Sequence, residues 1–323
     1  MAATLTDVAR RAGVSIATAS RAFGEPDRLA GGTLERVLQA AVDLGYSNPQ
    51  TSVATRTLGV IVPDIANPVY AKLLKAIQGQ AWHGRHRIVL FDADEDLRRE
   101  REQMEQARKL DGILLCSPRL PDADVLALVG GTAHVVVNRQ IDGAPCVVMD
   151  TEHGPTQAVE HLVALGHRHI AYASGPRGSW ADARRFDTIS RGCERHGIQL
   201  TRLSHQAASI QGGRAAAALA AASDATAVVA YNDLVALGLE AGMSELGRQC
   251  PADISIVGID DIDLAGAVTP GLTTVRMPIE RCGTLAVDLL LQAISGIAIG
   301  PLATLDSQLI VRASTAAPAV SAS

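Results

Sequence analysis

From Leu58 onward the chain alternates short β-branched runs with longer amphipathic stretches, and this rhythm constrains the fold more than any other feature. Strands are expected at 58–62, 87–91, 112–116, 134–137 and 147–149, and a second series at 169–174, 227–231, 255–259 and 273–276. Helices fall between them, at 69–82, 95–110, 155–165, 184–196, 212–222, 233–246 and 280–295. Strand, helix, strand at this spacing builds parallel sheets covered on both faces. Two series of similar length predict two doubly wound lobes with a ligand cleft between them.

A different pattern precedes this region. Thr4 stands three residues before Asp7, a cap pair for a helix whose small apolar face is Val8, Ala9 and Ala12. Gly13 suits a left-handed stop, Val14 plugs the corner, and Ser15 caps a second helix from Ile16 to Phe23. Ala19, Ala22 and Phe23 face inward there, leaving Ile16, Ala17, Ser20 and Arg21 outside. Two short helices joined by such a turn predict a helix-turn-helix. Its second helix would lie in a DNA major groove. Arg21 would bond a guanine, Ile16 and Ala17 would meet thymine methyls, and Thr18 and Ser20 would reach phosphates. The cap hydroxyls of Thr4 and Ser15 complete the expected DNA-binding set. A third helix at 32–45, with Leu34, Val37, Leu38, Ala41 and Leu44 turned inward, closes a headpiece spanning 1–46.

These stretches resemble the lactose-repressor (LacI) family of bacterial transcription regulators. Asp-Val-Ala, Ala-Gly-Val-Ser, Thr-x-Ser-Arg and Leu44-Gly45-Tyr46 follow that family's headpiece order. The resemblance continues through Val62–Pro68, Glu160–His167, Asn232-Asp233, Val257–Asp261, Leu272–Val275 and Leu309–Thr315, so it covers essentially the whole chain. It implies an α/β fold: an all-α helix-turn-helix headpiece and two type I periplasmic-binding-protein-like lobes, used as a homodimer. It also implies that the helix at 280–295 returns to the first lobe and the last strand to the second. Two departures stand out. Relatives open the third helix with a Ser-Pro-Glu type cap, where this chain has Ala30-Gly31-Gly32. The linker, 47–57, is about half a dozen residues shorter than usual and lacks the Leu that relatives wedge into the minor groove. Val53 is its one apolar candidate for a wedge, and weaker operator bending is expected.

Composition narrows the function. The headpiece carries five Arg against five acids over residues 1–50, and the whole chain has a net charge of −5. Neither attracts DNA globally, so affinity should come from two headpieces acting together. The five cysteines are scattered without metal-ligand or paired spacing, as in a reducing compartment. No leader and no membrane-length apolar run is apparent, so a cytoplasmic protein is expected. His161, His167 and His169 cluster in sequence, and His167 and His169 flank a helix end, where capping is favoured over metal binding. No dinucleotide fingerprint, phosphate loop or nucleophile elbow occurs, which argues against an enzyme, a metal site or a cofactor.

Candidate effector residues sit where open α/β sheets bind ligands, past strand carboxyl ends. Asn232 and Asp260 are placed so, with Asn138 following the strand at 134–137. Arg185 follows Gly-Pro-Arg-Gly-Ser-Trp, and its family counterpart contacts the effector. Asp64, Val69 and Tyr70 follow the first core strand. Met149 stands where relatives often have an aromatic and Met277 where many have Gln. Residues 206–209 lack the aromatic that stacks on sugars in many members. A thioether-lined pocket with a sugar effector is the expectation. The reading is a homodimeric regulator, most readily a repressor, of a pseudo-palindromic operator. The rivals are a ligand sensor without DNA function and a doubly wound enzyme with an added helical domain.

Overall fold

A computed structural model describes residues 3–24, 29–46 and 55–319. The N-terminal helices form one compact unit and the β/α region another.

In the first unit, α1 (Leu5–Ala12) opens on a reciprocal cap. The Asp7 amide donates to Thr4 Oγ1 at 3.3 Å, and the Thr4 amide donates to Asp7 Oδ2 at 3.0 Å. Gly13, at φ +66°, turns the chain into α2 (Ile16–Gly24), whose start is held by the Thr18 amide donating to Ser15 Oγ at 3.0 Å. α3 (Gly31–Asp43) begins at Ala30 without a side-chain cap, as its sequence implied. Val8, Ala9, Ala12, Ala19, Ala22, Val37, Ala40 and Ala41 form the core, sealed by Phe23 and Tyr46 with ring centroids 5.7 Å apart. The expected inward stripe of α3 needs correction. Leu38 is 43% exposed and Leu44 37% exposed, while Ala40 is buried. Leu38 lies to one side of the buried Val37–Ala41 line, and Leu44 falls past the helix end, where the helical face no longer continues.

The second unit starts with β1 (Thr57–Val62), α4 (Pro68–His83), β2 (Arg87–Asp92), α5 (Leu97–Ala107), β3 (Gly112–Cys116), α6 (Asp122–Val129), β4 (His134–Val137) and β5 (Cys146–Met149). After a crossover come α7 (His153–Ala164), β6 (His169–Ala173), α8 (Trp180–His196), β7 (Gln199–Arg202), α9 (Ile210–Ala221), β8 (Ala227–Ala230), α10 (Asp233–Glu245), β9 (Ser255–Asp260), α11 (Asp263–Ala267) and β10 (Thr273–Arg276). The chain returns through α12 (Ile279–Ile294) and β11 (Leu302–Leu305), and closes on β12 (Gln308–Ile310).

The two sheets share one plan. The first runs β11-β5-β4-β3-β1-β2 and the second β12-β10-β9-β8-β6-β7. Of the pairings outside β1–β2, only β10 with β12 is antiparallel and the others are parallel. Strand order therefore reverses between β1 and β3 in one lobe and between β6 and β8 in the other. These are the switch points at which ligands bind. As expected, α12 packs back on the first lobe, against α4 and the β3–β5 strands, and β12 joins the second. The short elements α6, β7, α11 and β11 were not anticipated. Each has eight residues or fewer, too short a run to display a period.

Three crossovers, after β5, β10 and β11, join the lobes, and one apolar cluster runs through them. Val69, Met149, Met277 and Leu305 belong to that cluster. Met149 and Met277, expected to line a pocket, are each 2% exposed in this cluster, where thioethers fill irregular core space.

Candidate DNA-reading helix and effector cleft

The cap and turn of the headpiece set the outward face of α2. Ile16 is 52% exposed, Ala17 and Arg21 are exposed, and Thr18 and Ser20 are half-buried. Ile16, Ala17 and Arg21 thus lie together on the outward face of the helix, an apolar pair beside a cation. The Thr18 hydroxyl shares a 2.8 Å hydrogen bond with Ser15 Oγ. That bond fixes both hydroxyls at the helix start, where backbone N–H groups favour a phosphate. Thr4 is engaged with Asp7, its Oγ1 donating to the carboxylate at 2.6 Å. Val53 and most of the 47–57 linker lie outside the described residues.

In the second unit the switch points face one another. On the second lobe α8 is organised by Asp182, a fully buried carboxylate. It accepts from the Tyr172 hydroxyl at 2.9 Å, the Gly175 amide at 2.6 Å and Arg202 Nη2 at 3.0 Å. With Asp182 committed, Arg185 turns to the strand ends instead. Its Nη1 donates to the Tyr231 carbonyl at 2.5 Å and its Nη2 to Asp260 Oδ1 at 3.4 Å, and its guanidinium lies 5.0 Å from the Tyr231 ring centroid. Arg185 is only 3% exposed, and its Nε is buried without a partner. A surface arginine paired with Asp182 or Asp187 does not describe it.

Asp260 sits at φ +125°, a backbone conformation that a side chain rarely adopts and that aims its carboxylate at Arg185. Burial pushes this carboxyl above the usual carboxylate range, and the nearby Asp233 adds to the rise while Arg185 opposes it. Asp233 is fully buried, receiving the Thr274 hydroxyl at 2.5 Å and the Ile262 amide at 2.9 Å. Asn232 is buried and caps α10, with the Val235 amide donating to its Oδ1 at 2.9 Å.

The first lobe answers with a clamped loop. Glu100 accepts the Arg119 amide on both carboxylate oxygens at 3.0 Å, while Arg139 Nη1 donates to the Pro118 and Leu120 carbonyls at 2.6 and 2.8 Å. Held from both sides, the loop presents Ser117 and Arg119. Asn138 Nδ2 donates to Ser117 Oγ at 3.1 Å, with the buried Tyr70 phenol beside the same residue. Burial drives the Tyr70 phenol far above its ordinary value. Asn138 Oδ1 is buried without a partner, an acceptor left for a ligand hydroxyl. Arg119 grips Glu95 through Nε and Nη2, both at 2.9 Å, within electrostatic reach of Tyr70 and of Tyr231 on the opposite lobe.

Eight non-glycine residues among those described have positive φ, and six of them, Asp94, Glu95, Ser117, Asn138, Asp260 and Asp261, follow strand carboxyl ends on the cleft side. This concentration of unusual backbone makes the strand ends the candidate binding site. Arg185, Asp260 and Asn232 are brought together as expected, with Tyr70 and Asn138 on the other wall. Asp64 closes its own loop instead, accepting the Ala66 amide at 2.8 Å. Ser117, Arg119 and Tyr231 were missed. The rule that found Asn138 and Asn232 would have found Ser117 and Tyr231. Arg119 depends on the folded loop.

The histidine group also resolves differently from the expected helix capping. His161 bonds Thr315 Oγ1 at 2.9 Å, His167 bonds Thr226 and Ser255, and His169 bonds Thr201. The three face different partners: His161 and His167 reach the C-terminal segment at Thr315 and Ala316, while His169 joins β6 to β7. Among the described residues no group of His, Cys, Asp and Glu is arranged to hold a metal, and no helix is long and apolar enough to cross a membrane.

A helix-turn-helix with an exposed reading face, together with two like-wound lobes closing on strained strand ends, defines a ligand-responsive DNA-binding regulator. Comparison with known proteins agrees. Residues 4–49 match the model of bacterial regulatory proteins of the lacI family, and residues 159–315 match a periplasmic binding protein-like domain. The chain is 31% identical to the HTH-type transcriptional regulator GalR of Salmonella typhimurium, over 90% of this chain and 89% of that protein. A lac repressor dimer bound to operator and an anti-inducer superposes with a TM-score of 0.73 at 27% identity, covering 98% of this chain and all of that one. A ribose-bound LacI family regulator from Enterococcus faecalis gives 0.75 at 28% identity, covering 81% and 99%. The chain belongs to the lacI family of bacterial regulatory proteins and is a DNA-binding transcriptional regulator.

Proposed function

We propose that the protein is a homodimeric, cytoplasmic repressor that binds a pseudo-palindromic operator and is controlled by a sugar held between its lobes. The observation that carries this reading is the pairing of Arg185 with Asp260 at the strand ends, opposite an unpaired Asn138 acceptor. Bidentate donors beside a carboxylate and an amide suit a ligand that offers several hydroxyls in fixed geometry. The pairs Arg185–Asp260 and Arg119–Glu95 each balance their own charge, which suits a neutral polyol better than an ion. Relatives carry ribose and cellobiose in structures of matching fold, in keeping with this class.

Each headpiece would set Ile16, Ala17 and Arg21 into one half-site, with Thr4, Ser15, Thr18 and Ser20 near the backbone. The effector would shift operator affinity only by its differential affinity for the two lobe arrangements. The test is a fluorescence-anisotropy titration of the protein on its own upstream DNA, with a thermal-shift screen of sugars, sugar phosphates and nucleosides. Ligand-induced stabilisation with no DNA binding under any condition would favour the rival, a sensor without DNA function.

A further inference from the structure

The two lobes are joined by more than their crossovers. Trp180, the first residue of α8, belongs by chain order to the second lobe. Its half-buried ring nevertheless packs against an apolar cluster made entirely of first-lobe residues, among them Ile61, Leu115, Leu120 and Ile141. The helical stretch that begins with Trp180 also bears Arg185, five residues on, so one rigid segment holds both the lobe-to-lobe contact and the main effector group. The ring is also fastened on its own side. The Arg184 guanidinium lies 6.0 Å from a Trp180 ring centroid and bonds Glu152 at 3.2 Å, in the first crossover. Ser179 Oγ, just before it, lies 3.1 Å from the Tyr231 hydroxyl. A change in lobe angle must slide this indole across the first-lobe surface, while a ligand drawing Arg185 from Asp260 pulls on the same helix.

We propose that Trp180 is a positioning residue for the effector response: an aromatic clasp that holds the lobes in the described arrangement and links Arg185 to the lobe angle. This rests on the effector reading above. It also locates an aromatic at the cleft mouth of a chain whose 206–209 segment has none.

The experiment needs neither effector nor operator, so its failure is separable from failure of the regulator reading. The chain has two tryptophans, and Trp82 is 76% exposed, so Trp82→Phe leaves Trp180 as the single reporter. Its emission in the native protein should be blue-shifted from that of the unfolded chain and several-fold less quenched by acrylamide. In otherwise unchanged protein, Trp180→Ala should raise the radius of gyration by small-angle scattering. Amide exchange at residues 150–152 and at Met277 should quicken several-fold with the β1 and β6 strands unchanged, and Trp180→Phe should restore most of the loss. A fully solvated emission from Trp180 overturns the proposal. So do scattering and crossover exchange in Trp180→Ala that match the unsubstituted protein. Should Trp180→Ala fail to fold, the reporter variant and Trp180→Phe still decide.

Discussion

Arg185 and Asp260 face each other across the ends of two neighbouring strands, Nη2 to Oδ1 at 3.4 Å, with both side chains almost fully out of water. A buried pair of this kind contributes little net stability when intact but is costly to break, because the survivor keeps its charge without a partner.

For this pair the expected outcome depends on pH. The Asp260 carboxyl is raised in the folded protein by burial, aided by Asp233. A raised carboxyl favours the fold at low pH, and that contribution fades as pH climbs from the ordinary carboxylate range, near about 4, towards neutrality. Asp260→Asn should flatten the stability profile across this window. Arg185→Ala removes the opposing cation, so it should cost about 3–5 kcal/mol near pH 8 and clearly less near pH 5. Urea melts at the two pH values measure both, and a pH-independent cost in Arg185→Ala would contradict the assignment.

Arg21 is exposed, so Arg21→Ala should leave unfolding within about 0.5 kcal/mol of the parent. On operator DNA the same change should cost about 1–3 kcal/mol per half-site, or about 30- to 2 × 10⁴-fold for a dimer using two. Anisotropy titrations at fixed salt check this, and unchanged affinity would remove α2 from the groove.

The α9–α10 contact is made through glycines whose added methyl would strike backbone. At Gly238 a Cβ would come within 2.0 Å of the Ile210 carbonyl oxygen and 2.9 Å of Gly213 Cα. Backbone cannot give as a side-chain tip can, so Gly238→Ala should destabilise by about 3 kcal/mol or more. At Gly79, with open space around it, the same change should be neutral or stabilising by about 0.5–1 kcal/mol. Paired thermal melts separate the two.

His167 is fully buried between Thr226, Ser255 and the Ala316 carbonyl, and burial lowers its imidazole below the usual value. A depressed histidine stabilises the fold above its ordinary pKa of about 6.5, and this is lost as pH falls through the lower folded value. Amide protection at Thr315 and Ala316 should therefore drop on acidification before the strands of either sheet open. In His167→Gln that acid sensitivity should disappear from exchange measured between pH 7 and pH 5.

The longer elements were legible in the chain because their causes are local. Thr4 with Asp7, Gly13 and Ser15 specify two helices and the turn between them by hydrogen bonds spanning a few residues. Strand ends could be counted from β-branched runs, which placed Asn138, Asn232 and Asp260 at the cleft. Boundaries failed where locality failed. α8 starts at Trp180, not at 184, because Ser179 caps it by accepting the Asp182 amide at 3.2 Å. Leu38 left the core because it lies beside the buried Val37–Ala41 line, and Leu44 because it falls past the end of α3.

By itself the sequence determined the fold class, the two kinds of unit, the reading helix and the strand ends where a ligand would sit, since each is written in short-range periodicity and capping. Only the tertiary structure decided which of those strand-end groups meet. It committed Asp182 to Tyr172, Gly175 and Arg202, and so sent Arg185 to Asp260. It buried Met149 and Met277 in the apolar core, and it carried Trp180 onto the opposite lobe. The reason is physical: partners separated by some 75 residues, as Arg185 and Asp260 are, are chosen by competition among all the groups that the sheets bring together, and no local pattern records the outcome of that competition.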